Sequence, residues 1–201
     1  FKPTQLFDFA IVPDMDKYIF YTPKNVLWTK GVLCKHYDKK PISGTGIIVI
    51  GGRSRHYSFS KKLISYQLKM ILEKFPDIHW KVTTSPRSPN FDIPKNDGNA
   101  EFFNWKNVQK DWLSNEMEQN EITFLTPESV SVLYEALSTN TKAYVFHHEH
   151  HTDGQYSTKR NTKVTRNIDK LKKEGVIGYI DTKRFLLSRS VNCLLYTSDA
   201  A

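Results

Sequence analysis

Residues 46–52 (GIIVIGG) form a continuous apolar run, which constrains the fold more than any other feature of the sequence. A run without polar alternation is typical of a strand buried on both faces, as in parallel sheets covered by helices. Further short apolar segments follow it, each separated from the next by an amphipathic stretch. This alternation predicts an α/β fold with a Rossmann-like parallel sheet and flanking helices.

The same pattern gives bounds for the individual elements. Strands are predicted at residues 7–13, 25–31, 46–52, 80–84, 100–105, 121–126 and 143–147. Helices are predicted at residues 61–75, 108–117, 129–137 and 163–174, with Ser60 as an N-cap for the first and Gly175 as a stop after the last. Residues 35–44 are polar and contain Pro and Gly, so we interpret them as a linker.

Composition narrows the class of protein. With 39% hydrophobic and 25% charged residues the chain fits a globular protein, and no apolar run is long enough to span a bilayer. The net charge of +8 is spread along the chain, which argues against nucleic-acid binding. The densest basic run, residues 159–173, is interpreted as a solvated helix face, and Cys34 as a packed residue rather than a nucleophile.

The ends of the chain carry their own signal. The last nine residues, 193–201 (CLLYTSDAA), match the in-frame translation of a transposase sequencing adapter, and the chain begins at Phe1 rather than at Met. We therefore interpret the sequence as a piece of a longer reading frame and set residues 193–201 aside as an artefact of cloning or assembly.

The segment that follows the apolar run, residues 51–58 (GGRSRHYS), is a candidate ligand loop, because ligands bind at the carboxyl ends of strands in open parallel sheets. Gly51 and Gly52 allow a close backbone approach, and Arg53 and Arg55, which flank Ser54, can bind anionic oxygens. An ordinary Gly-rich turn with solvated arginines explains the segment equally well.

A second loop, residues 83–89 (TTSPRSP), ends the next predicted strand. Its hydroxyls and its cation, on Thr84, Ser85 and Arg87, suit phosphate or sugar hydroxyls. A capped turn is the commoner explanation of such a stretch.

Residues 126–136 (TPESVSVLYEA) carry the strongest local signal. A predicted strand leads directly into a helix whose first turn holds Ser129 and Ser131, so free backbone N–H groups and the helix dipole can meet a phosphate there. Glu135, in the second turn, is expected to reach a ribose hydroxyl. The alternative is an ordinary capped amphipathic helix.

The histidine run at residues 147–151 (HHEHH) has the right residue types for a metal site but lacks a ligand spacing of its own, so a solvated loop is the favoured interpretation. No arrangement of Ser-His-Asp or Cys-His type is apparent. We therefore predict no catalytic residue and no metal ligand from the sequence.

Taken together and in this order, GGRSRHYSFS, TTSPRSP and TPESVSVLYEAL resemble the mitochondrial-fission "elongated mitochondria" family, as do NVLWTKG and VTRNIDKLKKEGVIGYID. The resemblance covers residues 7–181. Where the family pattern has TTSRRTP this chain has Pro86 before Arg87, and where the family has TADSVSM this chain has TPESVSV, in which Glu128 keeps the carboxylate.

The resemblance implies a GT-B glycosyltransferase-like architecture of two Rossmann-like domains. Residues 1–40 would be the remnant of the N-terminal domain with its linker, and residues 41–192 the C-terminal domain that holds a nucleotide-diphospho-sugar donor. The implied activity is transfer of the sugar to an envelope glycolipid or polysaccharide, with the donor as substrate and with no separate cofactor or metal. The donor contacts would be the eleven candidate residues already named, and the general base would lie in the N-terminal domain.

Two other functions stay open. Plant members of the family recruit a dynamin-related GTPase to the outer mitochondrial surface, which would make a plant chain a non-catalytic fission factor. A bacterial chain, which the Lys-, Asn- and Ile-rich composition favours, would be cytoplasmic with peripheral association at the inner membrane. Family members are also labelled nucleoside-diphosphate-sugar epimerases, but this chain has no G-x-G-x-x-G.

Overall fold

The computed structural model describes residues 6–17, 23–89, 98–148 and 162–180. Within these ranges the chain forms two parallel sheets and four helices. The strands are β1 (Ala10–Pro13), β2 (Val26–Thr29), β3 (Ile42–Ile50), β4 (His79–Thr84), β5 (Ala100–Phe103), β6 (Asn120–Leu125), β7 (Lys142–Val145) and β8 (Gly178–Tyr179). The helices are α1 (Lys61–Lys74), α2 (Trp112–Gln119), α3 (Val130–Leu137) and α4 (Lys163–Lys173).

The larger sheet has six strands in the order β5-β4-β3-β6-β7-β8, and all of its pairings are parallel. Numbered along the chain within this sheet, the strands lie as 3-2-1-4-5-6, which is the order of the Rossmann fold. The predicted Rossmann-like α/β fold is therefore confirmed. The order reverses between β3 and β6, so the crevice outside the carboxyl ends of these two strands is the place where such a fold binds ligands.

The core lies on both faces of this sheet. Ile47 and Val49 of β3 pack with α2, α3 and α4 on one face, whereas Ile48 and Ile50 pack with α1 on the other. Successive side chains of a strand point to opposite faces, so a strand covered on both sides must be apolar at every position. This requirement explains the continuous apolar run from which the fold was predicted.

The bounds of β3 differ from the prediction at both ends. The strand begins at Ile42, inside the predicted linker. The sequence did not mark this start because the first four residues, ISGT, are exposed or half-buried and form no apolar run. It ends at Ile50 rather than at residue 52, because the N–H groups of Gly51 and Gly52 donate to side chains of the loop after β6 instead of to a neighbouring strand.

Most other elements agree with the prediction to within three residues at each end. Ser60 caps α1 as expected, since its Oγ accepts a hydrogen bond from the N–H of Leu63 at 3.3 Å. Helix α2 begins at Trp112, four residues later than predicted, because residues 108–111 form a bend and a turn instead of the first turn of the helix. Strand β8, which pairs with β7, was not predicted.

The smaller sheet pairs β1 with β2 in parallel. A backbone hydrogen bond from Tyr37 N to Ser138 O, 3.1 Å long, links the following segment to the end of α3. The assignment of residues 1–40 to a separate N-terminal domain stays a prediction, and residues 193–201 lie outside the described residues.

Candidate functional site

A cavity of about 380 Å³ opens at the point where the strand order of the larger sheet reverses. It lies between the loops that follow β3, β4 and β6 and the segment that leads into α2. Its polar lining comes from strand ends and loops: Gly51, Thr83, Thr84, Ser85, Arg87, Gln109, Lys110, Thr126, Glu128 and Ser129. We call it the switch-point cavity.

The two glycines after β3 lie against other parts of the cavity wall. A Cβ atom on Gly51 would stand 1.4 Å from Oε1 of Glu128, and one on Gly52 would stand 1.8 Å from the carbonyl oxygen of Arg87. At Gly52 the obstacle is backbone, so only glycine fits there, whereas a Cβ at Gly51 would have to displace the carboxyl group of Glu128. The close backbone approach that the two glycines allow is therefore made to other residues of the protein, Glu128 and Arg87.

Glu128 is the most unusual side chain of the cavity. It is only 6% exposed, and its Oε1 accepts hydrogen bonds from the N–H of Gly52 and from Oγ1 of Thr126, both at 3.1 Å. Its second oxygen, Oε2, is buried without a hydrogen-bond partner among the described residues. A buried polar atom without a partner costs free energy, which makes Oε2 a candidate acceptor for a ligand hydroxyl.

The protonation of Glu128 reflects two opposing influences. Burial raises the pKa of the carboxyl, whereas its hydrogen bonds with its own N–H, Thr126 and Gly52, together with the charge of Arg87, act to lower it. Burial is the larger influence, so the pKa lies above the ordinary range of glutamate. Glu128 was not among the predicted site residues, although the carboxylate of the family pattern at this position was a signal for it.

The loop after β4 is held against the end of β3 by Ser88. Its Oγ lies 2.8 Å from the carbonyl oxygen of Ile50 and 2.7 Å from that of Gly51, and it accepts a hydrogen bond from the N–H of Ser85 at 2.9 Å. These contacts fix the turn that carries Arg87, whose side chain is exposed and lines the cavity.

The N-terminus of α3 opens on the same cavity. Ser129 occupies the N-cap position, but its side chain makes no capping hydrogen bond, which leaves the hydroxyl available to a ligand. No acidic residue lies in the first turn of α3, although the Glu128 carboxyl, one residue before the N-cap, lines the same cavity.

One wall of the cavity is apolar. Trp105 and Val108 come from the segment leading into α2, Trp112 and Leu113 from the first turn of α2, and Val132 from α3. An apolar cavity wall combined with a few polar groups at one end is typical of small-molecule sites.

The structure brings together five of the eleven predicted residues as cavity lining: Gly51, Thr84, Ser85, Arg87 and Ser129. The other six do not line it. Ser54 accepts hydrogen bonds from the N–H groups of His56 and Tyr57, and Glu135 accepts one from Ser114 on α2. Gly52 donates its N–H to Glu128 and packs against the backbone of Arg87, while Arg53, Arg55 and Ser131 are exposed. A role in ligand binding stays a prediction for all eleven.

Of the histidine run, only His147 and His148 are described. His148 is buried between Tyr57 and Phe59, and its Nδ1 lies 3.2 Å from the carbonyl oxygen of Ser58. Burial lowers the pKa of His148 to about 4, so its ring is neutral at pH 7. The described residues contain no group of three or more potential metal ligands, and the rest of the run lies outside them.

Two further observations concern the described part of the chain as a whole. Cys34 packs against the core cluster that includes α3, and burial raises the pKa of its thiol. None of the helices in these ranges is both long enough and apolar enough to cross a bilayer.

The fold and the cavity define a Rossmann-like α/β protein with a candidate ligand site at its switch point. The sequence profile of the family described as "Mitochondrial fission ELM1" matches residues 2–201, so the chain belongs to this family. The resemblance found in the sequence is thereby confirmed. The matched range runs through residues 193–201, so their origin in a sequencing adapter stays a prediction.

Two solved structures are similar to this one at low identity. The glycotransferase of kitacinnamycin has a TM-score of 0.44 and 14% sequence identity to this chain. The match covers 77% of this chain but only 35% of the glycotransferase. The cypemycin decarboxylase CypD has a TM-score of 0.42 and 14% sequence identity, and the match covers 72% of this chain and 86% of the decarboxylase. Neither likeness carries an argument about function. No curated protein matches the chain.

Proposed function

We propose that this chain is the donor-binding part of a GT-B-type glycosyltransferase, which binds a nucleotide-diphospho-sugar in the switch-point cavity and transfers the sugar to an envelope glycolipid or polysaccharide. The observation that carries the proposal is the buried, unpartnered Oε2 of Glu128 at the reversal point of the strand order. Family membership and the Rossmann strand order support it.

The polar groups of the cavity divide according to the parts of such a donor. A carboxylate oxygen accepts hydrogen bonds from hydroxyl groups and repels phosphate, so Glu128 suits a ribose or sugar hydroxyl. Arg87, Ser85 and Ser129, with the N-terminus of α3, suit the diphosphate. The wall around Trp105 and Trp112 offers an apolar surface for the base.

In the transfer step, the acceptor hydroxyl oxygen forms a bond to the anomeric carbon, and the bond from that carbon to the diphosphate oxygen breaks. The nucleoside diphosphate leaves with the electron pair, and the hydroxyl proton passes to a base that none of the residues named here supplies. Positive charge and helix N–H groups next to the leaving diphosphate lower the barrier because they stabilise developing negative charge.

The test is calorimetric titration of the full chain with UDP-, GDP-, ADP- and CMP-sugars. We expect one nucleotide class to bind, and Glu128→Gln to weaken binding about tenfold, because a glutamine places an N–H₂ group where the hydroxyl needs an acceptor. Glu73→Gln on the exposed face of α1 is the matched control and should bind as the parent does. Binding that Glu128→Gln leaves unchanged would refute the placement of the donor.

The family description, which names mitochondrial fission, favours a second candidate, a non-catalytic fission factor. The partner expected from the resemblance is a dynamin-related GTPase. A chain shown to be folded that binds none of the nucleotide-sugars would support this candidate over the transferase. The epimerase label receives less support, since the turn after β3 reads Gly51-Gly52-Arg53-Ser54 and lacks the spacing of a dinucleotide-binding loop.

A further inference from the structure

A second cavity, of about 340 Å³, lies between residues 14–17 and α4. It is lined by Asp14, Met15, Lys17, Lys163, Arg166, Asn167 and Lys170, none of which lines the switch-point cavity. We call it the α4 cavity. We propose that the α4 cavity is a binding site for a dianionic phosphate group.

The charge of the lining is the first argument. Four cations line the cavity, and two carboxylates offset them: Lys170 pairs with Asp14 at 2.8 Å, and Lys163 pairs with Asp16. Arg166 forms no ion pair within the described residues, and Lys17 lies 5.6 Å from the ring centroid of Trp28. The excess of two positive charges matches a phosphate dianion, and the guanidinium of Arg166 can bind two of its oxygens.

The placement of the cations on α4 is the second argument. Lys163, Arg166, Asn167 and Lys170 are spaced i, i+3, i+4 and i+7, so they form one stripe of the helix. Two of the cations stand in the first turn, where the helix dipole is already positive and where no acidic residue is present. Lys163 is offset by Asp16, whereas Arg166 stands near the positive end of the dipole without a carboxylate partner among the described residues, which is unfavourable unless an anion binds.

Asn167 is the third and independent argument. Its side chain is 5% exposed, and its Oδ1 accepts a hydrogen bond from the hydroxyl of Tyr134 at 3.0 Å. Its Nδ2 is buried without a partner among the described residues, although Asn167 lines the cavity. With Oδ1 occupied, the group left for a ligand is a donor, as a phosphate oxygen requires.

These observations revise the interpretation of the basic run at residues 159–173. A helix face that is only solvated has no buried side-chain amide and no residues packed opposite it. This stripe has the buried amide of Asn167 and faces residues 14–17 across the cavity. The phosphate could belong to a soluble phosphomonoester or to the headgroup of an anionic lipid, and the two sources are separable by experiment.

The test is calorimetric titration of the full chain with inorganic phosphate at constant ionic strength. We expect Arg166→Gln to weaken binding about tenfold. Asn167→Asp should do at least as much, because it keeps the acceptor for Tyr134 but puts a negative oxygen in place of the donor. Lys173→Gln, which removes one charge from the same helix outside the cavity, is the matched control and should bind as the parent does.

The proposal would be overturned if phosphate did not bind, or if Arg166→Gln and Lys173→Gln weakened binding equally. It would also be overturned if Arg87→Gln abolished phosphate binding and Arg166→Gln did not, since the phosphate would then bind in the switch-point cavity. Circular dichroism checks that each variant is folded, and Arg166→Gln decides alone if Asn167→Asp unfolds.

Sedimentation with phosphatidylcholine vesicles, with and without phosphatidic acid, separates the two sources. Arg166-dependent binding to phosphatidic acid that free phosphate competes away would support the site and identify a lipid headgroup. Phosphate binding without vesicle binding would support the site for a soluble ligand.

Discussion

At the scale of single residues, the switch-point cavity depends on two glycines whose missing side chains leave room for Glu128 and for the backbone of the loop after β4. The obstacle to a Cβ at Gly52 is the carbonyl of Arg87, and backbone cannot move aside as the end of a flexible side chain can. Packing alone therefore requires glycine at this position, whether or not the loop binds a ligand.

Gly52→Ala is accordingly expected to cost about 2–3 kcal/mol in the free energy of unfolding, because the loop must shift to admit the methyl group. Gly98→Ala is the comparison, since a Cβ there meets no atom within 4 Å and only the positive φ of 55° opposes it. Its cost should be about 1 kcal/mol. Urea unfolding followed by tryptophan fluorescence measures both, and equal losses would show that the loop accommodates the methyl group.

His148 makes the stability of the protein depend on pH. Burial lowers its pKa to about 4, below the 6.5 of an ordinary histidine. A group with a lowered folded-state pKa contributes stability that is present above its unfolded pKa and lost as the pH falls through its folded pKa. The free energy of unfolding should therefore fall by roughly 3 kcal/mol between pH 6.5 and pH 4 through this residue alone.

The measurement is urea unfolding across this pH window for the parent, for His148→Gln and for His79→Gln. His148→Gln should flatten the decline, and the exposed His79→Gln should leave it unchanged. Other titrating groups, such as the Glu128 carboxyl, contribute equally to all three proteins and cancel in the comparison. An unchanged slope in His148→Gln would show that the ring is protonated without opening the fold.

At the scale of elements, the N-termini of α1 and α3 use serine in two different ways. The side chain of Ser60 caps α1, whereas that of Ser129 does not cap α3 and lines the cavity instead. Ser60→Ala should cost about 1 kcal/mol in stability and leave nucleotide-sugar binding unchanged.

Ser129→Ala should show the reverse, with a stability loss of at most about 0.5 kcal/mol and weaker donor binding. Thermal unfolding and calorimetric titration of the two variants, side by side, test both expectations. A loss of stability in Ser129→Ala as large as in Ser60→Ala would mean that its hydroxyl serves the helix rather than a ligand.

Helices and strands were predictable from the sequence where burial imposes a regular spacing of apolar residues. Strand β3 was found because both of its faces are covered, and α1 because a capping serine precedes a regular apolar stripe. The exposed start of β3 and the two-residue strand β8 lack such a signal. Helix α2 was placed four residues too early because the apolar residue Val108 lines the cavity rather than beginning the helix.

The candidate site was predictable in its location but not in its members. Strand ends meet at the switch point in any sheet of this order, which is why Thr84, Ser85, Arg87 and Ser129 come together. Side-chain direction is not visible in a sequence. Glu135, on the second turn of α3, accepts a hydrogen bond from Ser114 of α2, and Glu128 turns inward against Gly52.

At the scale of the whole molecule, the six-stranded sheet separates two apolar clusters. Ile71 of α1 is fully buried in one, and Ile168 of α4 is 1% exposed in the other. Replacing either with valine removes one methylene group and should cost about 0.5–1.5 kcal/mol. Since the two side chains lie on opposite faces, each vacated space can be refilled only from its own cluster.

The double variant Ile71→Val/Ile168→Val should therefore lose the sum of the two single losses to within about 0.5 kcal/mol. Urea unfolding of the parent, the two single variants and the double variant completes the cycle. A coupling energy above about 1 kcal/mol would mean that the sheet transmits packing changes from one face to the other. In that event the cavity at the switch point, whose wall includes Val49 and Leu125 of the sheet itself, would also respond to substitutions beneath α1.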